Sequence, residues 1–125
     1  GVCGNTCGPE VARPEDTKNF TRLLKEFREQ LDNVDDDLLL TMAAGADETM
    51  SDKIEVSKVA RILDWINLMT YDFHGPWDSS TNFQSALYPA SADPARDQGL
   101  TASETVRRFR DRGAPAKKLV LGVPF

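Results

Sequence analysis

Through PEDTKNFTRLLKEFREQL, apolar residues recur every third or fourth position. Phe20, Leu23, Leu24, Phe27 and Leu31 would form one buried face, with Lys18, Arg22, Lys25, Glu26 and Glu29 on the solvated one. Pro14 suits a first helical position, and Glu15 and Asp16 suit the positive end of the helix dipole. The spacing therefore predicts a helix beginning at Pro14. LLLTMAA (38–44) is a short continuous apolar run stopped by Gly45, which predicts a fully buried strand. KIEVSKVARILDW returns to helical spacing at Ile54, Val59, Ile62 and Leu63, and INLMTYDF predicts a second strand over Ile66–Phe73. A long stretch rich in Ser, Asn, Asp, Pro and Ala follows, from His74 to Gly99, and loops of this length are usually functional or disordered. TASETVRRFRDRG predicts another helix, with Thr101 and Glu104 as a capping box, Val106 and Phe109 as its apolar stripe and Gly113 as its stop. KKLVLGVPF predicts a third buried strand.

Buried strands alternating with amphipathic helices imply a parallel sheet built of βαβ units, an α/β fold. The predicted pieces do not close on themselves. The first helix has no preceding strand, and a three-stranded parallel sheet keeps two bare edges. The expectation is a contiguous slice of a larger α/β domain. Asp35, Asp36 and Asp37 form an acidic cluster between helix and strand, which reads as a solvated turn rather than a cation site.

Composition narrows the function. At 125 residues, 40% hydrophobic and 28% charged, the chain is ordinary for one globular domain. A net charge of −5 with no block of Lys or Arg argues against nucleic acid and against an anionic membrane surface as partner. No apolar run approaches the roughly 18–20 residues of a membrane span, and no secretory leader pattern opens this piece. Cys3 and Cys7, in VCGNTCG, do not fit a C-x2-C zinc half-site, and no second Cys/His pair exists to complete one. A small disulfide loop is expected, implying an oxidising compartment; two unrelated free thiols are the alternative. No metal site is expected.

The chemistry concentrates after the second strand. In parallel α/β folds, ligands bind at the carboxyl ends of strands, and Tyr71, Asp72, His74 and Trp77 lie at or just beyond that end. Strand alternation puts Asn67, Met69 and Tyr71 on one face and sends Asp72 to the other, so Asp72 joins Tyr71 only if the strand bends or ends there. A phenol donates a hydrogen bond and a carboxylate accepts one, while Trp77 offers a flat apolar face suited to a sugar ring. The same residues could instead satisfy backbone groups and pack a rim. His74, before Gly75 and Pro76, reads as a turn residue rather than a base, and Ser79 and Ser80 lack a nucleophile's context.

DWINLMTYDFHGPWD resembles the sixth-strand signature of the family 18 glycoside hydrolases, the chitinases, of the bacterial type. The resemblance covers nearly the whole chain. RPEDTKNFTRLLKEFREQLD resembles the helix after the family's catalytic fourth strand, LLLTMAA the fifth strand, TNFQSALYP the loop after the sixth, and RGAPAKKLVLGVPF the seventh strand and its approach. It implies that residues 1–125 are a partial catalytic domain, truncated at both ends, covering roughly helix 4 to strand 7 of a TIM (β/α)8 barrel. It also implies retaining hydrolysis of the β-1,4 links of chitin or chitooligosaccharide, with the substrate's 2-acetamido oxygen as the nucleophile and no cofactor. By position, Tyr71 would bond the acetamido carbonyl oxygen, Asp72 would hold the distorted sugar, Met69 would line the pocket floor, and Trp77 would stack on a sugar on the leaving-group side. A secreted, extracellular protein, monomeric at full length, is implied too. One departure is large. The family's Asp-x-x-Asp-x-Asp-x-Glu motif, whose Glu is the general acid, is absent, so that acid is expected upstream of Gly1 and the chain alone is expected to be inactive. Two rivals remain at this level: a family-18-like chitin-binding lectin that has lost the acid, and an endo-acting N-acetylglucosaminidase on the same fold. Trp77 and the SALYP loop favour the chitinase over the second.

Overall fold

The computed structural model describes residues 11–125; the expected Cys3–Cys7 bridge lies outside them. Three parallel strands, β1 (Thr41–Gly45), β2 (Trp65–Met69) and β3 (Leu119–Leu121), stand in the order β1-β2-β3. Helix α1 (Asp16–Asp32) precedes β1. A four-residue α2 (Glu48–Ser51) and then α3 (Val56–Ile62) connect β1 to β2, and α4 (Ala102–Asp111) precedes β3. The alternation expected from the sequence is present, with every strand connection a helical crossover.

The register puts Met42, Ile66 and Leu119 in one row and Ala44, Leu68 and Leu121 in the next. Alternate positions of a strand face the same side, so this is the face that the helices cover. Ala44, Ile66 and Leu68 are buried there with Leu24 of α1, Val56, Val59 and Ala60 of α3, and Phe109 of α4. The opposite face, with Ala43, Asn67 and Val120 in one row, carries no such layer among the described residues, and Val120 is 44% exposed. The strands are thus buried on one side rather than two. Strand β3 in particular, expected to be buried, is three residues long with Val120 and Leu121 both substantially exposed.

Boundaries differ for local reasons. Helix α1 starts at Asp16, two residues after Pro14, because Arg13 and Asp16 close a turn first: Asp16 N–H donates to Arg13 O at 3.1 Å, and Arg13 N–H donates to Asp16 Oδ2 at 2.9 Å. Of its apolar stripe, Leu24 is buried and Phe20 packs on the core, while Leu23 and Phe27 are about half exposed, at 51% and 49%. Leu38 and Leu39 precede β1 and stay exposed. The Asp35–Asp37 cluster is a turn, closed by Asp37 N–H donating to Asp35 Oδ1 at 2.9 Å. Thr101 caps α4 by accepting from Glu104 N at 3.3 Å, but Glu104 turns its own carboxylate to Arg107, so only half of the expected capping box forms.

One buried polar junction ties α4 to the end of β1. Thr105, fully buried, donates its hydroxyl to Ala46 O (3.1 Å) and Thr101 O (2.9 Å), and Arg108 adds Nη1 to Ala46 O at 2.7 Å and Nη2 to Gly99 O at 3.3 Å. Thr105→Val keeps the shape and removes the donor, so it is expected to destabilise the full-length protein by about 1 kcal/mol. Thermal unfolding of that protein checks this, and an unaltered melting temperature would show the hydroxyl to be idle.

Candidate functional site

Strand β2 stops at Met69, four residues before the sequence pattern runs out, because its partners stop. The last β1 pair is Gly45 with Met69, and the last β3 pair is Leu68 with Leu121. The chain then bends. Thr70 is buried and donates Oγ1 to Gly122 O at 2.7 Å, while Gly122 N–H donates to Leu68 O at 2.9 Å. Asp72 takes φ = 55°, the left-handed region that few residues other than glycine enter and that Asp tolerates better than most. This bend answers the question that strand alternation left open. Met69, Tyr71 and Asp72 all line one cleft of about 490 Å³ at the carboxyl end of the sheet, together with Gly45, Ala46 and Leu100.

Tyr71 is half-buried because the chain at Gly122 lies close beneath its ring. A Cβ at Gly122 would sit 2.5 Å from Leu68 O and 2.9 Å from Tyr71 Cε1, so only glycine lets the ring lie there. Asp72 is exposed, and Gln84 donates Nε2 to its Oδ1 at 2.5 Å. Trp77 is not among the residues that line this cleft. It stands on the loop, 66% exposed, its ring folded over Gly75 so closely that a Cβ there would sit 2.5 Å from Cη2.

The long loop is ordered by buried polar groups rather than by an apolar core. His74 is buried between Asp78, whose Oδ2 lies 3.2 Å from Nδ1, and Asn82, whose Nδ2 lies 3.3 Å from Nε2. An amide nitrogen can only donate, so Nε2 accepts from Asn82 and Nδ1 carries the proton toward Asp78. Asn82 also donates to Asp93 Oδ1 at 2.6 Å. The Ala95 N–H and then the Asn82 amide hold the Asp93 carboxyl below its ordinary range. His74 is therefore a turn residue, as its sequence context suggested.

Gln84 was missed by sequence reasoning, since an amide in a polar loop carries no periodicity. Asp47, at the lip of the cleft, was missed as well. It caps α2 by accepting from Met50 N at 3.0 Å, and the four-residue helix is too short to leave a pattern. A separate cleft of about 530 Å³ is lined by Arg96, Arg107, Arg108 and Arg112, but each guanidinium already has a partner: Ala90 O, Glu104, Ala46 O and Ser51 respectively. Among the described residues no group of three or more His, Cys, Asp and Glu side chains could hold a metal, and no helix is long and apolar enough to cross a membrane.

Comparison with known proteins gives one family match and three similar proteins. The model of the family "Glycosyl hydrolases family 18" matches residues 4–125. Chitinase A1 of Niallia circulans is 43% identical over 135 residues, a match covering 100% of this chain and 18% of the relative. Among solved structures, chitinase ChiA74 from Bacillus thuringiensis superposes with a TM-score of 0.87 at 44% identity, covering 90% of this chain and 19% of that one. Catalytic domain 2 of the Ostrinia furnacalis Group II chitinase, a mutant in complex with (NAG)5, superposes at 0.85 with 36% identity, covering 93% and 30%. The chain thus spans at most 30% of the length of these three. The likeness shows its fold, an α/β portion of the TIM-barrel fold that these chitinases share.

Proposed function

Because this chain belongs to the family 18 glycosyl hydrolases, we propose that it is the substrate-orienting part of a chitinase catalytic domain, running from helix 4 to strand 7 of the barrel. The observation that carries this reading is the convergence of Met69, Tyr71 and Asp72 on one cleft at the carboxyl end of a parallel sheet, brought about by the left-handed turn at Asp72.

The chemistry follows from what those groups can do. The 2-acetamido oxygen of the sugar attacks its own anomeric carbon as the glycosidic C–O bond breaks, and a proton passes from a general acid to the departing oxygen. Water then attacks the same carbon, giving a proton back to the conjugate base of that acid, the acetamido oxygen leaves, and the anomeric configuration is retained. This route differs from the usual retaining scheme, in which a protein carboxylate is the nucleophile. What the protein supplies is orientation. Tyr71 donates its hydroxyl to the acetamido carbonyl oxygen, Asp72 accepts from the distorted sugar, and Met69 forms the apolar floor. Trp77, exposed on the loop, stacks on a sugar on the leaving-group side. No residue of this chain stands in an Asp-x-x-Asp-x-Asp-x-Glu motif, so the acid comes from elsewhere in the full-length protein. The substrate is chitin or a chitooligosaccharide, no cofactor takes part, and the full-length enzyme is a secreted monomer. A Cys3–Cys7 disulfide fits that setting.

The test is the stereochemistry of the first product. Full-length enzyme incubated with a chitooligosaccharide is expected to release the β-anomer, seen by proton NMR before mutarotation. Initial release of the α-anomer would overturn the mechanism, and tight binding with no turnover would mark a lectin instead.

A further inference from the structure

We propose that Gln84 is the positioning residue for Asp72, committing one carboxylate oxygen so that the other faces the sugar; this rests on the substrate-binding role given to Asp72. The starting point is the left-handed backbone at Asp72, φ = 55°. A non-glycine residue keeps such a conformation only when its surroundings hold it. The segment that begins at Gln84 does so from three points. Phe73 N–H donates to Gln84 O at 2.9 Å, Gln84 Nε2 donates to Asp72 Oδ1 at 2.5 Å, and Ser85 Oγ donates to Thr70 O at 2.9 Å. The same segment is anchored on its far side by the start of α4, where Ala102 N–H donates to Ala86 O at 2.9 Å and Ser103 N–H to Leu87 O at 3.0 Å. Residues 84–87 are thus a short strap between the end of β2 and the first turn of α4, and Gln84 is where the strap grips the site.

The chemistry of the grip is specific. Among the described residues Gln84 is the one side chain that hydrogen-bonds to this carboxylate. A primary amide donates without carrying charge. It fixes the carboxylate plane and occupies Oδ1 while leaving the negative charge unpaired, whereas Lys or Arg at the same place would neutralise it. Oδ2 is then the oxygen that accepts from substrate.

The test is a double-mutant cycle in the full-length enzyme with chitooligosaccharide as substrate. Gln84→Met keeps the length and removes the donor, and it is expected to lower kcat/KM by about tenfold, the scale of one hydrogen bond to a charged group. In an Asp72→Ala background the same substitution is expected to change nothing, because there is no carboxylate left to aim. A loss of equal size in both backgrounds would show that Gln84 acts on the loop or the sugar directly, and would overturn the proposal. No loss from Gln84→Met beside a large loss from Asp72→Ala would overturn it too, while sparing the role of Asp72. Full activity in Asp72→Ala would remove that role and the proposal with it. A second variant reads the same contact without truncation. Gln84→Glu donates to Asp72 when protonated and repels it when ionised, so its kcat/KM relative to the parent enzyme is expected to rise as the pH falls into the carboxylate range. A flat ratio would overturn the proposal.

Discussion

Replacing Tyr71 with phenylalanine in the full-length enzyme is expected to lower kcat by about tenfold or more, with a much smaller change in KM. The ring itself stays in place. It rests over Gly122, where nothing larger than hydrogen fits, and phenylalanine has the same ring. What disappears is one hydroxyl, and with it the hydrogen bond proposed to point the acetamido oxygen at the anomeric carbon. The cost falls on the chemical step because intramolecular attack depends on direction and distance, and an untethered acetamido group samples many rotations that lead nowhere. Steady-state kinetics on a defined chitooligosaccharide measure both constants. A wild-type kcat would remove Tyr71 from the mechanism, and a change confined to KM would reduce it to a ground-state contact.

The 125-residue chain, purified alone, is expected to fall short of the full-length enzyme by at least the roughly 10²–10⁴-fold that a general acid contributes. On the proposed reading the cleft brings Tyr71 and Asp72 to a sugar, while the general acid belongs to a motif that this sequence does not contain. A sensitive fluorogenic chitobioside assay with a heat-treated control decides the matter. Heat-labile turnover by the chain alone would mean that a carboxylate among these residues serves as acid.

The order of the elements was legible in the sequence because it depends on local periodicity: the Thr101 cap, the Phe109 stripe and the alternation of helix with apolar run all reappear. Strand ends were not legible, because a strand lasts only as long as its neighbours pair with it. β2 stops where Gly45 and Leu121 stop, and neither limit is written in INLMTYDF. The same nonlocal fact decided the site. Had β2 run on to Phe73, Asp72 would have pointed away from Tyr71; the bend at φ = 55° brings the two side chains to one cleft. Leu23 and Phe27 show the converse, a clean apolar spacing that the described residues leave about half exposed. Gln84 was invisible because its meaning lies in a contact twelve residues back along the chain.

The loop after β2 separates what holds it from what it displays. His74, Asn82 and Asp93 brace it from within, while Trp77, Phe83 and Tyr88 stand outward, each at least 66% exposed. A frame stiffened by its own inner braces can have its outer plates exchanged without being rebuilt. Trp77, Phe83 and Tyr88 can therefore each be exchanged for another aromatic without loosening the loop that His74, Asn82 and Asp93 hold together.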